Sequence, residues 1–317
     1  MIPSYDTVNC WLPRDYIKDA AQENCILDKL SNVGHSYKES TGHTQYGQLG
    51  NLALTITERR ISIRGSLCKY YYGDNLHPLN LNDTKLAIEK LSDNLLLPIG
   101  NAQVSRLDLA SNISMQHPVS LYLHYLGLAK SYTRLENPKS VTYNKSNLKL
   151  SFYDKVAEMK QKKITMPPAV RLMHLLRYEM SYIKQIDKQL KRNVTVGILY
   201  QPAFYHSIVD HWHKGYLAIL KERSIRIGST GLDIIDNPRL LGELALIKTY
   251  GGVMATLEAL EEAKQLKPYT DKRRTAASRL SRRVKELASH SEYTFQSPLI
   301  DELDQKIAEA VNYALLQ

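Results

Sequence analysis

Cysteine, phenylalanine and tryptophan are scarce in this sequence of 317 residues, and long apolar runs are absent. The 3 cysteines, Cys10, Cys25 and Cys68, form no C-x-x-C pair. This argues against a disulfide framework or a structural zinc site and favours a reducing compartment. No apolar run approaches the ~18 residues that a membrane helix needs, and the first residues lack the apolar core of a signal peptide. We therefore expect a cytoplasmic protein without membrane contact.

The aromatic residues that are present are mostly tyrosines: 21, against 3 phenylalanines and 2 tryptophans. Hydrophobic residues make up 43% of the chain and charged residues 23%. These fractions are ordinary for a chain that buries a core and argue against extensive disorder. At roughly 100–200 residues per domain, the length predicts one large domain or two ordinary ones.

Positive charge is concentrated in two segments of a chain whose formal net charge is +10. Residues 139–192 carry 13 basic and 4 acidic side chains, a net of +9, and residues 264–286 carry 9 and 2, a net of +7. The segment between them, 193–263, has 6 basic and 8 acidic side chains. Two separate basic blocks indicate two contact surfaces for a polyanion, the alternative being lysine-rich faces that only meet solvent.

Short runs of alternating apolar and polar residues predict strands in the first part of the chain. The predicted strands are 51–57, 60–66, 103–113, 140–143, 148–155 and 175–183. Strands 51–57 and 60–66 form one predicted hairpin, and strands 140–143 and 148–155 form another. A helix capped by Asn82 or Asp83 and continuing through Leu97 is predicted before Pro98, and a short one after Pro118.

Beyond about residue 193 the apolar positions recur at helical spacing. Helices are predicted over 203–220, 238–266, 272–289 and 298–316. The sequence therefore predicts an α+β protein. We expect an antiparallel-sheet domain of nuclease type over 1–193, which would hold any catalytic site, and an all-helical region over 194–317 as a candidate for DNA binding or protein interaction.

Three of the predicted strands present polar groups on one face, because strand side chains alternate between the two faces of a sheet. The strand at 60–66 adds one residue, Arg64, to this face. The predicted polar face consists of Arg64, Arg106, Asp108, Tyr153, Lys155, Arg177 and Glu179. Carboxylate oxygens suit Mg²⁺ or Mn²⁺, which polarise phosphate oxygens. A tyrosine, with a pKa near 10, becomes a nucleophile only where a cation favours its phenolate. The alternative is a solvent-facing sheet surface with ordinary cross-strand ion pairs.

Four motifs in this part of the chain resemble those of the gene II/X family of filamentous-phage and plasmid replication initiators. They are ISIRGSLCKYYYGDN (61–75), VSRLDLASNI (104–113), LKLSFYDKVAEM (148–159) and LLRYEMSYIK (175–184). The resemblance spans roughly residues 50–190. It implies a site-specific nickase and ligase for single-stranded DNA that starts rolling-circle replication in the cytoplasm of a bacterial host.

The resemblance also implies roles for individual residues. Tyr153 would attack the origin phosphodiester and leave a 5′-phosphotyrosine and a free 3′-hydroxyl for the polymerase. Asp108 and Glu179 would hold the divalent ion, and Lys155 is the cation two residues past the tyrosine. The implied partner is origin DNA, single-stranded or supercoiled duplex, with host helicase and polymerase as further candidates. The oligomeric state is left open.

The sequence departs from the better-known nicking superfamily because it has no His-apolar-His strand. The one candidate, His211-Trp212-His213, lies in a predicted helix, where residues i and i+2 point to different sides. A third metal ligand is therefore unassigned, with His174 or Asp154 as options.

Basic residues near the predicted site and on the predicted helix at 272–289 are candidates for DNA contact. They are Arg64, Lys69, Arg106, Lys160, Lys162, Lys163, Arg177, Arg273, Arg274, Arg279, Arg282 and Arg283. The tyrosines of Tyr70–Tyr72 would either stack on unpaired bases or pack half-exposed at a strand end. Two further hypotheses stay open: a non-catalytic origin-binding regulator on the same scaffold, and an RNA-binding protein.

Overall fold

A computed structural model of the chain describes residues 2–39, 42–225, 237–265, 270–290 and 293–317. The strands are β1 (Ser4–Pro13), β2 (Ser31–Lys38), β3 (Gly42–Leu49), β4 (Leu52–Thr57), β5 (Arg60–Arg64), β6 (Gln103–Met115), β7 (Leu126–Ala129), β8 (Thr133–Asn137), β9 (Ser140–Lys145), β10 (Leu148–Asp154), β11 (His174–Tyr182), β12 (Ile219–Lys221), β13 (Arg223–Ile225) and β14 (Thr294–Gln296).

The α-helices are α1 (Ala20–Leu27), α2 (Leu67–Tyr72), α3 (Leu81–Leu95), α4 (Val119–His124), α5 (Lys155–Gln161), α6 (Pro168–Arg171), α7 (Ile186–Leu190), α8 (Pro202–Leu217), α9 (Pro238–Thr249), α10 (Val253–Ala263), α11 (Asp271–Ser289) and α12 (Pro298–Leu315). Three short 3₁₀ turns complete the regular structure of the described residues: Arg14–Tyr16, Ile99–Asn101 and Val196–Ile198.

Ten of the strands form one antiparallel sheet in the order β2-β3-β4-β5-β1-β6-β11-β10-β9-β8. The two predicted hairpins are present as β4–β5 and β9–β10. The three strands that carry the predicted polar face, β6, β11 and β10, are direct neighbours in the sheet. The α+β prediction is confirmed.

One face of the sheet forms the main core, and tyrosine supplies much of its aromatic content. Phe152 stacks on Tyr178 with ring centroids 4.3 Å apart, and Tyr178 also contacts Trp212 of α8 at 4.4 Å. Buried tyrosine hydroxyls donate to backbone oxygens at 2.6–2.8 Å, from Tyr143 to Gly127, Tyr178 to Trp212 and Tyr205 to Pro3. Because these hydroxyls have partners, tyrosine can fill positions where phenylalanine is usual, which accounts for part of the tyrosine excess.

The helices after residue 193 divide between two cores. The apolar sides of α8 and α12 join the main core of the sheet, with Trp212, Leu303 and Ile307 fully buried. Helices α9, α10 and α11 build a smaller core around Leu244 and Leu257. The main core therefore crosses the predicted domain boundary at 193/194, and that boundary stays a prediction.

Several predicted element bounds are wrong. The segment 238–266, predicted as one helix, divides into α9 and α10 at Gly251 and Gly252, whose φ values of 92° and 104° lie outside the helical range; residue 266 itself lies outside the described residues. The predicted cap of α3 at Asn82 or Asp83 is wrong: the Asn80 side chain accepts from the Asp83 N–H at 2.8 Å and caps a helix that begins at Leu81. The predicted all-helical region also contains the short strands β12, β13 and β14.

No single helix among the described residues is long and apolar enough to cross a membrane. Helices α9 and α10 meet those criteria only when taken together, across a bend of 84°.

Candidate active site and nucleic-acid interface

The face of the sheet opposite the main core carries the predicted polar residues in register. Tyr153 of β10 pairs with Arg177 of β11, and Ser151 pairs with Glu179. On the other side of β11, Ser181 pairs with Asp108 of β6. Paired residues of adjacent strands point to the same side, so these side chains share one surface.

A β-bulge in β1 adds an acidic residue that sequence analysis missed. Tyr5 pairs with Leu109 and Val8 with Leu107, so two residues of β1, Asp6 and Thr7, lie opposite the single residue Asp108. The Asp6 side chain is buried and accepts hydrogen bonds from the Ser66 hydroxyl and from Asn75 Nδ2, the latter at 3.1 Å. The strand β1 itself was not predicted, and the bulge interrupts the alternation that would have assigned Asp6 to a face.

Arg177 lies at the centre of the site and is almost completely buried, with 3% exposure. Its guanidinium donates to Asp6, to Asn112 Oδ1 at 2.9 Å, and to Glu179 Oε2 at 3.4 Å. Burial alone would lower the pKa of Arg177, but Asp6, Tyr153 and Glu179 raise it above its usual range. The guanidinium also donates to the Asn75 backbone oxygen at 3.4 Å, so the site holds a permanent positive charge whose orientation is fixed by four partners.

Asp108 is paired to Arg106 through three hydrogen bonds, one of them from Arg106 Nε to Asp108 Oδ2 at 3.2 Å. Arg106 Nε lies 3.0 Å from Asp108 Oδ1, and Arg106 Nη2 lies 2.8 Å from Asp108 Oδ2. Burial raises the pKa of Asp108 to about 6; Arg106 opposes this shift, and the negative charge of Glu179 adds to it. Two carboxylates that repel one another on adjacent strands make a place where a further cation is favourable.

Tyr153 is half-buried beside this charged cluster. Burial raises its pKa well above 10, Arg177 opposes the shift, and the carboxylates of Glu179, Glu158 and Asp6 add to it. The phenol is therefore protonated at neutral pH in this arrangement. Its use as a nucleophile requires additional positive charge near the oxygen or removal of the proton as the new bond forms.

The structural position of Lys155 differs from the predicted one. The strand ends at Asp154 and Lys155 begins α5, so the alternation that placed Lys155 on the face of Tyr153 does not extend to it. Its Nζ atom is buried and lies 2.9 Å from Glu158 Oε2. Burial lowers the pKa of Lys155, as does the charge of Arg177, while Glu158 raises it. Glu158, a second residue that sequence analysis missed, also pairs with Lys162.

Asp154 and His174, the two options for a third metal ligand, lie at strand ends. The Asp154 side chain accepts from the Ala157 N–H at 2.9 Å and caps α5. His174 is exposed at the start of β11. His211 lies on α8, as predicted, with Nδ1 2.8 Å from the hydroxyl of Tyr182, and the adjacent Trp212 is fully buried.

The site offers carboxylate oxygens, which are hard donors, to a divalent cation. Within the described ranges, no group of three or more His, Cys, Asp or Glu side chains is arranged to hold a metal ion. Mg²⁺ commonly takes one or two carboxylates and completes its coordination with water and phosphate oxygens. Asp108 and Glu179 can meet that requirement, but they do not form an all-protein cage.

The basic residues named as DNA contacts fall into two groups. Arg64 and Arg106 lie on the polar face, and Lys160, Lys162 and Lys163 are exposed at the end of α5, which packs against β10 and β11. Lys69 is half-buried in α2, and Arg177 is buried at the centre of the site.

The second group lies on α11 in the smaller helical core. The exposed members are Arg273, Arg274, Arg279 and Arg282. Arg283 instead pairs with Glu243 of α9 at 2.9 Å and with Glu286 at 3.1 Å. It therefore links two helices, and its role in DNA contact stays a prediction.

The tyrosine cluster of α2 packs within the protein. The Tyr70 hydroxyl accepts from Asn94 Nδ2 at 2.7 Å, and Lys90 Nζ lies over the rings of Tyr70 and Tyr71 at 5.4 and 5.7 Å. Tyr72 donates to Asp83 Oδ2 at 2.7 Å. These contacts favour the packing interpretation over base stacking.

Residues 5–203, which include all ten strands of the large sheet, match the family described as the N-terminal region of the phage gene II replication-associated protein. No curated protein matches the chain. The family match defines the chain as a replication-associated protein. It belongs to the filamentous-phage gene II family of replication initiators, and the predicted resemblance is confirmed.

Proposed function

We propose that the protein starts rolling-circle replication by cutting and rejoining one strand of origin DNA, with Tyr153 as the nucleophile. One observation carries the proposal: in a replication-initiator chain, the strand register pairs Tyr153 with Arg177, and Glu179 lies two residues further along β11 on the same face. A phenol, a fixed cation and a neighbouring carboxylate on one sheet face suit attack on a phosphodiester.

In the proposed first step, Tyr153 Oη attacks the phosphorus and the bond from phosphorus to the 3′ oxygen breaks. The phenol loses its proton, the 3′ oxygen gains one, and the DNA 5′ end stays on the protein as a phosphotyrosine. Arg177 is held by Asp6 and Asn112 and stabilises negative charge on the phenolate and the phosphate without reorganising.

In the second step a free 3′-hydroxyl attacks the phosphotyrosine, reforms a phosphodiester and releases the phenol. The phosphotyrosine ester conserves the energy of the cleaved bond, so this exchange closes a displaced strand without ATP. Positioning and electrostatic stabilisation supply most of the rate enhancement in phosphoryl transfer. The site has few polar groups, and hydrogen bonds fix their positions.

We further propose that Asp108 and Glu179 hold Mg²⁺ or Mn²⁺. The bound ion would polarise a phosphate oxygen and neutralise charge that develops during the exchange. Without the ion, Arg106 balances the charge of Asp108.

The proposed substrate is origin DNA, held near the nick by the basic residues of the sheet and of α5, with α11 as a second contact surface. The 3′-hydroxyl would then be extended by a host polymerase inside the bacterial cell, with a host helicase as a further partner.

The direct test incubates the protein with Mg²⁺ or Mn²⁺ and single-stranded origin DNA, followed by digestion with trypsin and mass spectrometry. Cleavage after Lys149 and Lys155 yields a peptide, residues 150–155, in which Tyr153 is the only tyrosine. We expect the nucleotide adduct on this peptide and no adduct for Tyr153→Phe. The matched control, Tyr72→Phe, should form it normally. An adduct on another tyrosine, or full nicking by Tyr153→Phe, would show that the nucleophile is wrongly assigned.

The second candidate function is a non-catalytic origin binder on the same scaffold. Two observations on the described residues favour it: the carboxylate set is small, and burial raises the pKa of Tyr153. Strong, metal-independent origin binding with no nicking on supercoiled or single-stranded DNA would select this function instead.

A further inference from the structure

On strands β2 and β3, at the end of the sheet far from Tyr153, an aromatic ring packs over a glycine. Tyr46 of β3 pairs with Gly34 of β2. A Cβ atom built on Gly34 would lie only 2.5 Å from the Cζ atom of Tyr46, so the ring tip occupies the space above Gly34 that a side chain would fill. The ring nevertheless remains 44% exposed. Gly34 thus allows an aromatic side chain to lie along the sheet surface with one side open to solvent.

A second aromatic residue of this surface, Trp11, lies in the same cross-strand row. Tyr46 pairs with Thr55, Thr55 with Ser62, and Ser62 with Trp11 of β1. All members of such a row point to one side of the sheet, and the residues between the two aromatics are small and polar. Trp11 is half-buried in this row, whereas the neighbouring Cys10 points into the core.

Positive charge borders this row on the side of the candidate active site. Arg64 lies two residues beyond Ser62 on β5 and is exposed. Arg106 pairs with Asn9, two residues before Trp11 on β1, and also binds Asp108 of the site. The row of aromatics is therefore continuous, through Arg106, with the polar face that holds Tyr153.

We propose that this row, Tyr46 and Trp11 with Thr55 and Ser62 between them, is a stacking platform for unpaired bases of the single-stranded DNA that leads to the nick. Aromatic rings that lie open on a flat sheet, with arginines alongside for the backbone phosphates, are the features that bind single-stranded nucleic acid without a fixed sequence. The choice of DNA as the ligand rests on the proposed function. The platform adds to that function the residues that bind the strand at a distance from the scissile phosphate.

The protein carries its own reporter for this proposal. Of its 2 tryptophans, Trp212 is fully buried in the main core, so emission that changes on DNA binding comes from Trp11. Addition of a short oligothymidine to the full chain should quench part of the tryptophan emission, and Trp11→Phe should abolish that quenching.

Affinity is measured separately by the anisotropy of labelled oligothymidine. We expect Tyr46→Leu and Trp11→Leu each to weaken binding about 5- to 150-fold, since stacking contributes ~1–3 kcal/mol per base. Tyr46→Phe keeps the ring and should bind within about twofold of the wild type. The matched control is Tyr37→Leu, since Tyr37 is 64% exposed on β2 but points to the opposite side of the ribbon from Gly34; it should bind normally.

An oligonucleotide without bases distinguishes stacking from a general folding defect. Tyr46→Leu and the wild type should bind this probe equally. An unchanged affinity of Tyr46→Leu for oligothymidine, an equal loss for the abasic probe, or stronger competition by RNA of the same length would each overturn the platform. Tyr153→Phe should bind and quench normally. If the wild type is quenched by oligothymidine but forms no adduct on Tyr153, the proposed function is rejected and the platform stands. If the wild type forms the adduct but is not quenched, only the platform is rejected.

Discussion

The carboxylate of Asp6 on β1 accepts a hydrogen bond from the buried guanidinium of Arg177 on β11, across the strand β6 that separates them. This ion pair joins three central strands at the point where Tyr153 lies. Removing one partner leaves the other buried and unpaired, which typically costs ~3–5 kcal/mol.

We expect Asp6→Asn to lower the free energy of unfolding by about 3 kcal/mol and to reduce nicking at least tenfold, because Arg177 loses a partner that orients it. Urea denaturation and a nicking assay well below the unfolding midpoint measure the two effects separately. Asp210→Asn is the control, because Asp210 forms an exposed ion pair with Lys214 at 2.6 Å and should cost less than ~1 kcal/mol. Wild-type nicking by Asp6→Asn would contradict the role of Asp6.

The carboxyl pKa of Asp108 should be about 6 in the metal-free protein, as measured by carbon NMR. Glu179→Gln should lower it, because a repelling negative charge is removed. The folded state favours protonated Asp108, so its ionisation costs stability in full above about pH 6; this cost shrinks as the pH falls below about 6 and is gone below the unfolded pKa of ~3.9. An Asp108 pKa that does not respond to Glu179→Gln would show that the two carboxylates do not interact.

Removal of divalent ions by a chelator should abolish nicking and leave binding of single-stranded DNA nearly unchanged. The proposed ion acts on the reacting phosphate, whereas most of the affinity comes from basic and aromatic side chains. Asp108→Asn should reproduce the effect of the chelator in the presence of excess Mg²⁺ or Mn²⁺. Nicking at full rate in the chelator would reject the metal proposal.

The two neighbours Phe152 and Tyr153 should separate stability from chemistry. Phe152 is completely buried against Tyr178, so Phe152→Ala should cost ~3–5 kcal/mol of unfolding free energy. Tyr153→Phe removes only a hydroxyl from a half-buried ring, so it should change stability by less than ~1 kcal/mol while abolishing the covalent adduct. A large loss of stability in Tyr153→Phe would mean that its hydroxyl has a structural role.

Arg282 and Arg283 should likewise behave differently although they are adjacent on α11. Arg282 is exposed, and Arg282→Ala should lower the slope of log affinity for duplex DNA against log salt by about 1. Arg283 is held by Glu243 and Glu286, so Arg283→Ala should act mainly on the stability of the helical core. Equal effects of both variants on the salt slope would show that Arg283 also reaches DNA.

Local alternation was sufficient to predict β6, β10 and β11 and to assign Asp108, Tyr153, Arg177 and Glu179 to one face. It failed where the backbone leaves the regular pattern. Lys155 was placed on the strand, but Asp154 caps a helix at that point. Asp6 was missed because no strand was predicted over β1, and the bulge that places it opposite Asp108 follows no local pattern.

The sequence by itself determined the α+β class, the two basic segments and the resemblance to replication initiators, because period, charge and motif order are properties of neighbouring residues along the chain. Only the tertiary structure decided which charges meet. Glu158 beside Lys155, Asp6 beside Arg177 and the Tyr46 ring over Gly34 all depend on strand order, register and helix placement, and these follow from packing of the whole sheet. The same packing accounts for part of the tyrosine excess, since buried rings can be tyrosines when folding brings a backbone oxygen within reach of each hydroxyl.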